Sequence, residues 1–129
     1  MKQEAKIQVE IFDWIRKNEE EFEVLKCVYH TPNSFFGTGF GVINYLKKLG
    51  MRNGVYDIIV PIDNDVYSAL YIEVKSKNGK LSDSQKQFKD IIMRHTLKWP
   101  LFVEVFDSNA GIELISKYLG LEDEDDERW

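Results

Sequence analysis

The sequence lacks cysteine pairs and long hydrophobic runs, and each absence excludes a class of protein. Its single cysteine, Cys27, cannot form an internal disulfide, which argues against a disulfide-stapled secreted domain. No apolar stretch approaches the roughly 18 residues that a membrane span needs. The first residues, MKQEAKIQVEIFDW, carry acids at amphipathic spacing, unlike a signal peptide. We therefore expect a cytoplasmic protein with no membrane partner.

The length and composition indicate one ordinary globular domain. The 129 residues suit a single hydrophobic core. A chain of this size buries roughly two-thirds of its unfolded surface, so it needs no disulfide or metal in order to fold. Hydrophobic residues make up 43% and charged residues 30% of the chain, and no internal repeat or linker interrupts it.

The formal net charge of -5 comes from the C-terminal end. The last nine residues, LEDEDDERW, contain six acids and one arginine, whereas residues 1–120 contain sixteen acidic and sixteen basic side chains. Such like-charge runs are usually solvated tails, so we predict a folded domain over residues 1–120 and a flexible acidic tail over residues 121–129. From Lys47 to Lys98, ten basic residues outnumber six acids, so the overall charge does not exclude a nucleic-acid partner.

Hydrophobic periodicity and turn residues predict elements in the order α-β-α-β-β-α-β-α. The predicted helices cover residues 4–16, 42–49, 82–95 and 110–119, and the predicted strands cover residues 22–29, 55–60, 69–75 and 101–106. The two middle strands are joined by a short polar loop, so they should pair antiparallel. The last strand follows a helical crossover. The expected fold is α/β, with a mixed sheet flanked by helices.

Ionisable side chains lie on the two middle strands. Because side chains alternate across a strand, Glu73 and Lys75 share one face, and Asp57 can lie beside them on the neighbouring strand. As an exposed pair, Glu73 and Lys75 would contribute under about 1 kcal/mol. Burial would instead cost several kcal/mol per ion, and two adjacent carboxylates would repel unless a cation compensated them. The strands alone leave open a surface ion pair or an active site.

Two helices add polar groups to this region, and each group also has a structural explanation. Glu4 and Gln8 continue the apolar stripe of the first helix, which is typical of a helix end that emerges from the core. The functional interpretation is a third carboxylate directed at the same site. The sequence SDSQ matches a capping box, with Ser82 at the N-cap and Gln85 at the third helical position. Gln85 also lies on the inward face of its helix, so it could serve both roles.

These polar residues form one ordered set along the chain. Glu4 and Gln8 come first, HTPN follows at residues 30–33, and Asp57, EVK at residues 73–75, GKLS at residues 79–82 and Gln85 complete it. The set resembles the VRR-NUC (virus-type replication-repair nuclease) family of the PD-(D/E)xK superfamily. The triplet EVK at residues 73–75 is common by itself, whereas the full ordered set of residues is specific to this family. One departure is Tyr56, where the family has a proline that stiffens the backbone but is not a ligand.

The resemblance implies a restriction-endonuclease-like fold and a metal-dependent endonuclease that acts on DNA. By resemblance, one or two Mg²⁺ or Mn²⁺ ions would be held by Asp57, Glu73, the backbone carbonyl of Val74 and Glu4, the last directly or through water. Lys75 would orient the attacking water or stabilise the phosphate, and whether it also acts as a general base stays open. Gln85 would position Lys75 or the water.

Several residues near this set are candidates for DNA contacts. The candidates for phosphate contacts are Arg52, Lys77, Lys80 and Lys86. Each alone is more simply a solvated surface residue, but their clustering beside the site favours a binding role. His30 and Asn33 could contact DNA or a metal-bound water, although a structural histidine and a turn-forming asparagine explain that pair more simply.

Small chains that consist only of this domain resemble phage and prophage forms of the family. In those forms a homodimer with two active sites cuts branched DNA, and a twofold axis suits a symmetric junction. We therefore expect a structure-selective endonuclease, such as a Holliday-junction resolvase, in a bacterial host. Two alternatives stay open, namely a nicking or restriction-type enzyme on linear duplex and a non-catalytic DNA-binding protein with a nuclease fold.

Overall fold

The computed structural model describes residues 2–32 and 39–121 of the chain. Within these ranges the helices are α1 (Gln3–Asn18), α2 (Phe40–Lys48), α3 (Asp83–His95) and α4 (Ser108–Leu119). The strands are β1 (Tyr29–His30), β2 (Ile58–Val60), β3 (Leu70–Val74) and β4 (Leu101–Val105). The predicted fold class is confirmed, because a mixed sheet is flanked by helices.

The strands form one sheet in the order β1-β2-β3-β4. The strand β2 pairs antiparallel with both β1 and β3, whereas β3 and β4 are parallel. A parallel pair needs a crossover, and α3 supplies it between β3 and β4. The predicted antiparallel pairing of the middle strands and the helical crossover are both confirmed.

The predicted strand over residues 22–29 is wrong for most of its length. Residues Glu23–Cys27 form a short 3-10 helix, and only Tyr29–His30 pairs with β2. The buried side chains in this stretch are Leu25 and Val28, which are three residues apart. That spacing matches a 3-10 turn and not the alternation of a strand, so packing overrides the β-prone composition.

One face of the sheet forms an aliphatic layer with α1 and α4. Ile72 and Val74 of β3 belong to the same buried cluster as Ile11 of α1 and Ile115 of α4. The two helices approach closely at Gly111, where an added Cβ would lie 2.6 Å from Cδ1 of Ile11. A larger residue at this position would force the Ile11 side chain to shift.

The opposite face of the sheet forms an aromatic layer with α3. Tyr71 stacks on Phe102 of β4 with ring centroids 4.8 Å apart, and Tyr56 meets Phe102 edge-on at 5.1 Å. Phe88 of α3 packs against both tyrosines at about 6 Å. The helix α3 therefore lies on the face of the sheet opposite to α1 and α4.

The loop that precedes β2 is pressed against the start of α3. Gly54 has a φ of 86°, and an added Cβ would lie 2.4 Å from the backbone oxygen of Ser84. Only glycine tolerates both the positive φ and this contact. The strand β2 begins at Ile58, three residues later than the predicted start, so Asp57 is the last residue of this loop.

Some predictions concern segments that the structure does not describe. Asn33 and the acidic tail from residue 122 onward lie outside the described residues. Their proposed roles stay predictions. Among the described helices, none has the length and apolar character needed to cross a membrane.

Two buried tyrosines provide a matched test of the packing. The Tyr56 hydroxyl is buried and has no hydrogen-bond partner among the described residues, whereas the Tyr118 hydroxyl donates to the carbonyl of Ile62 at 2.7 Å. Tyr56→Phe should raise the free energy of unfolding by about 1 kcal/mol, because it removes an unpaired buried polar group. Tyr118→Phe should lower it by about 1 kcal/mol. Urea unfolding of both variants checks this, and equal losses of stability would contradict it.

Candidate active site

Asp57 lies where the loop enters β2, and contacts from Thr31, directly after β1, and from β3 hold it. Its backbone carbonyl accepts a hydrogen bond from the Thr31 N–H at 3.0 Å. Its carboxylate oxygen Oδ2 accepts from the Val74 N–H of β3 at 2.9 Å. The side chain is therefore fixed against the C-terminal end of β3.

Glu73 is 3% exposed, and its carboxylate is the centre of the site. Oxygen Oε1 accepts from the Asp57 N–H at 3.2 Å. Oxygen Oε2 accepts from Nε2 of Gln85 at 2.5 Å and forms an ion pair with Nζ of Lys75 at 3.1 Å. Both oxygens thus have partners, which a buried carboxylate requires.

Lys75 follows β3 directly and continues its course. Its N–H donates to the carbonyl of Val105 at 2.9 Å, so the side chain keeps the strand alternation and shares a face with Glu73. The side chain is 13% exposed and that of Glu73 is 5% exposed. The exposed ion pair that the sequence left open is excluded, because both partners are largely buried.

Gln85 combines the two roles that its sequence position allowed. Its side-chain oxygen accepts from the Ser82 N–H at 2.9 Å, and the Ser82 hydroxyl accepts from the Gln85 N–H at 3.2 Å, which completes the capping box. Its amide nitrogen donates to Glu73 in the same arrangement. The cap therefore orients the amide toward the Glu73 carboxylate.

The electrostatics of the site are dominated by the interaction of the buried Glu73 carboxylate with the partly buried Asp57 carboxylate. Burial raises the pKa of Glu73 to about 7, and the charge of Asp57 adds to this rise, while Gln85 and Lys75 oppose it. Burial also raises the pKa of Asp57, against the hydrogen bond from Val74. A cation bound between the carboxylates would favour their charged forms. Since Mg²⁺ takes one or two carboxylates and keeps several waters, Asp57 and Glu73 fit such an ion.

Glu4 reaches the same end of β3 from the opposite side of the sheet. Its carboxylate oxygen Oε2 accepts from the Ser76 N–H at 3.1 Å. Within residues 2–32 and 39–121, no three acidic, histidine or cysteine side chains lie close enough together to hold an ion. Glu4 therefore binds the backbone just after β3, and its role as a metal ligand stays a prediction.

The predicted DNA-contacting residues are spread around this centre. Lys77 and Lys80 are exposed on the loop between β3 and α3, Lys86 is exposed on α3, and Arg52 is exposed on the loop after α2. Atom Nδ1 of His30 is hydrogen-bonded to the backbone oxygen of Asp57 at 2.7 Å, which supports the structural explanation of this histidine.

Sequence reasoning missed two lysines at the end of α2. Lys47 and Lys48 line the same cleft as Arg52. The signal was a pair of adjacent lysines just before Gly50, but only the packing of the loop against α3 shows which side they occupy. Tyr56, the departure from the family pattern, packs its ring into the aromatic layer against Phe88 and Phe102.

A family model described as the VRR-NUC domain matches residues 2–110. The chain belongs to the VRR-NUC family. Membership makes it a nuclease domain of the PD-(D/E)xK type. A solved structure titled "VRR_NUC domain protein" covers 95% of this chain and 93% of its own, with a TM-score of 0.70 and 20% identity. At this identity the likeness shows the shared fold. No curated protein matches the chain.

The raised pKa of Glu73 predicts a pH-dependent stability of this VRR-NUC domain without metal. The pKa is about 7 in the folded protein against an ordinary 4.5, so the unfolded chain releases this proton first as the pH rises. The stabilising contribution is complete below about pH 4.5 and is lost above about pH 7, which amounts to about 3 kcal/mol. In EDTA, urea unfolding of the wild type should therefore show a lower free energy of unfolding at pH 8 than at pH 5.

Glu73→Gln should lack most of this decline, because its side chain does not titrate. Glu104 is the register partner of Glu73 on β4, so Glu104→Gln is the matched control and should decline like the wild type. The prediction would be wrong if the two variants lost stability equally over this pH range.

Proposed function

We propose that this VRR-NUC protein is a metal-dependent endonuclease that hydrolyses phosphodiester bonds in branched DNA, with Holliday junctions as the leading substrate. The observation that carries the proposal is the buried network around Glu73. Its Oε2 contacts Nζ of Lys75 at 3.1 Å, and its Oε1 contacts the Asp57 N–H at 3.2 Å. The carboxyl groups of Asp57 and Glu73 also interact with each other. Two carboxylates and one amine therefore lie together, an arrangement that can support phosphodiester hydrolysis.

The proposed cofactor is Mg²⁺ or Mn²⁺, with one or two ions per site. Asp57 and Glu73 would hold it, with the carbonyl of Val74 and the carboxylate of Glu4 as further ligands. When bound, such an ion lowers the pKa of a water molecule and neutralises charge on the phosphate.

The remaining side chains act through position and charge. Lys75 is largely buried and is held by Glu73, so its ammonium is pre-oriented to stabilise negative charge that develops on the phosphate, or to orient the attacking water. The Gln85 oxygen is held by the Ser82 N–H, and its nitrogen therefore keeps Glu73 in one orientation. In this proposal Gln85 positions Glu73, in addition to Lys75 or the water.

The exposed basic residues would contact the DNA backbone. We propose that Arg52, Lys77, Lys80 and Lys86 contact phosphates, since such contacts place a nucleic acid without reading its sequence. Readout of shape and not of sequence is what a structure-selective nuclease needs.

We further propose that the active form is a homodimer, because two sites related by a twofold axis can cut a symmetric junction. Sedimentation equilibrium should give twice the mass of the chain. A monomer at the concentration at which junctions are cut would contradict the dimer and leave the nuclease proposal intact.

Cleavage of DNA in the presence of Mg²⁺ provides the main test. Asp57→Ala, Glu73→Ala and Lys75→Ala should each lower the cleavage rate of a four-way junction by at least about a hundredfold, because each removes charge or geometry needed in the transition state. Asp63 and Lys98 form an exposed pair at 3.7 Å beyond the opposite end of β2. Asp63→Ala and Lys98→Ala are therefore matched controls that should cut like the wild type. Undiminished cleavage by Asp57→Ala would contradict the assignment.

The same assay separates the alternatives. Faster cleavage of linear duplex than of junction or flap DNA would favour a nicking or restriction-type enzyme. Calorimetry that detects no divalent-metal binding at millimolar concentrations, together with no cleavage, would favour a non-catalytic DNA-binding protein.

A further inference from the structure

We infer that a cleft between α2 and α3 binds an unpaired DNA strand next to the active site. This inference rests on the proposed function and concerns a strand that leaves its duplex at the branch point of branched DNA. The cleft has a volume of about 940 Å³. Lys47, Lys48 and Arg52 line it from the α2 side, and Ser84, Phe88 and Ile91 line it from α3.

The charge of the cleft suits a polyanion. Its lining residues include three cations and no acid, and all three cations are exposed. Contacts between such cations and phosphates release condensed counterions, which favours binding at low salt.

The opposite wall distinguishes a single strand from a duplex. This part of the cleft is apolar: the partly buried Met51 and Phe88 line it together with Ile91, which is 41% exposed. Proteins that bind single strands combine a cationic track with apolar or aromatic surfaces on which bases stack. The outside of a duplex presents mainly phosphates and sugars, so this wall would gain little from it. A single strand satisfies both walls.

The cleft and the active site share their supporting elements. Arg52 comes five residues before Asp57, so their Cα atoms are at most about 18 Å apart. Ser84 lines the cleft, and Gln85 directly after it holds Glu73. The close contact between Gly54 and Ser84 joins the loop to the helix between these points. A strand in the cleft would therefore bring its phosphates toward Asp57 and Glu73.

Fluorescence anisotropy in EDTA tests the inference without cleavage. The probes are a short labelled single strand of mixed sequence and a blunt duplex of the same sequence. The wild type should bind the single strand more tightly than the duplex. The double variant Lys47→Gln/Lys48→Gln should bind the single strand about tenfold more weakly at low salt, and the slope of log K against log salt should fall by about 1.4.

The matched control removes two charges from the other side of the sheet. Lys17→Gln/Lys26→Gln changes exposed lysines at and beyond the end of α1 and should leave the affinity for the single strand unchanged. Ile91→Gln should weaken binding several-fold without changing the salt slope, because it removes apolar surface and no charge.

Equal affinity of the two double lysine variants for the single strand, or tighter binding of the duplex by the wild type, would overturn the inference. The outcome is independent of the nuclease proposal. If binding of the single strand depends on Lys47 and Lys48 but no DNA is cleaved, the strand-binding inference is supported and the nuclease proposal is contradicted. If Asp57→Ala abolishes cleavage but binding of the single strand does not depend on the two lysines, the nuclease proposal is supported and the strand-binding inference is contradicted.

Discussion

The hydrogen-bonded carboxylate of Glu73 is the interaction on which the site depends. It lies inside the protein, where an isolated charge would cost several kcal/mol, and three different elements compensate it. The loop before β2 contributes the Asp57 N–H, the end of β3 contributes Lys75, and α3 contributes Gln85. Displacement of any of these elements would leave a buried charge with too few partners. The fold and the chemistry are therefore coupled through one side chain.

The two layers of the sheet divide the work of stability and positioning. The aliphatic layer under α1 and α4 contains most of the buried hydrophobic residues and holds Ile72 and Val74 of β3. Because side chains alternate, the same strand presents Glu73 and Lys75 to the other side. That side carries the aromatic layer and α3, which brings the Gln85 amide to the sheet. A strand buried on both faces thus anchors the charged residues more firmly than a surface strand could.

Much of this arrangement could be predicted from the sequence, because the decisive signals were local. The alternation around Glu73, the short loop before it and the SDSQ cap each specify geometry within a few residues. The prediction of the first strand was wrong, because the burial of Leu25 and Val28 depends on contacts with distant parts of the core. Lys47 and Lys48 were missed for the same reason. They line a cleft together with Ser84 of α3, a neighbour distant in the chain that no local pattern records.

The double duty of Gln85 also limits which residues this position can accept. A capping box works equally well with glutamate or glutamine at the third helical position, since either supplies the oxygen that accepts the N-cap N–H. Here the second atom of the same group must donate to Glu73. A glutamate would place a third carboxylate against two that already repel. Helix capping alone therefore accepts glutamate or glutamine at this position, whereas the hydrogen bond to Glu73 accepts only glutamine. A helix-capping preference has thereby become a narrow sequence requirement, imposed by the buried Glu73 carboxylate rather than by the helix.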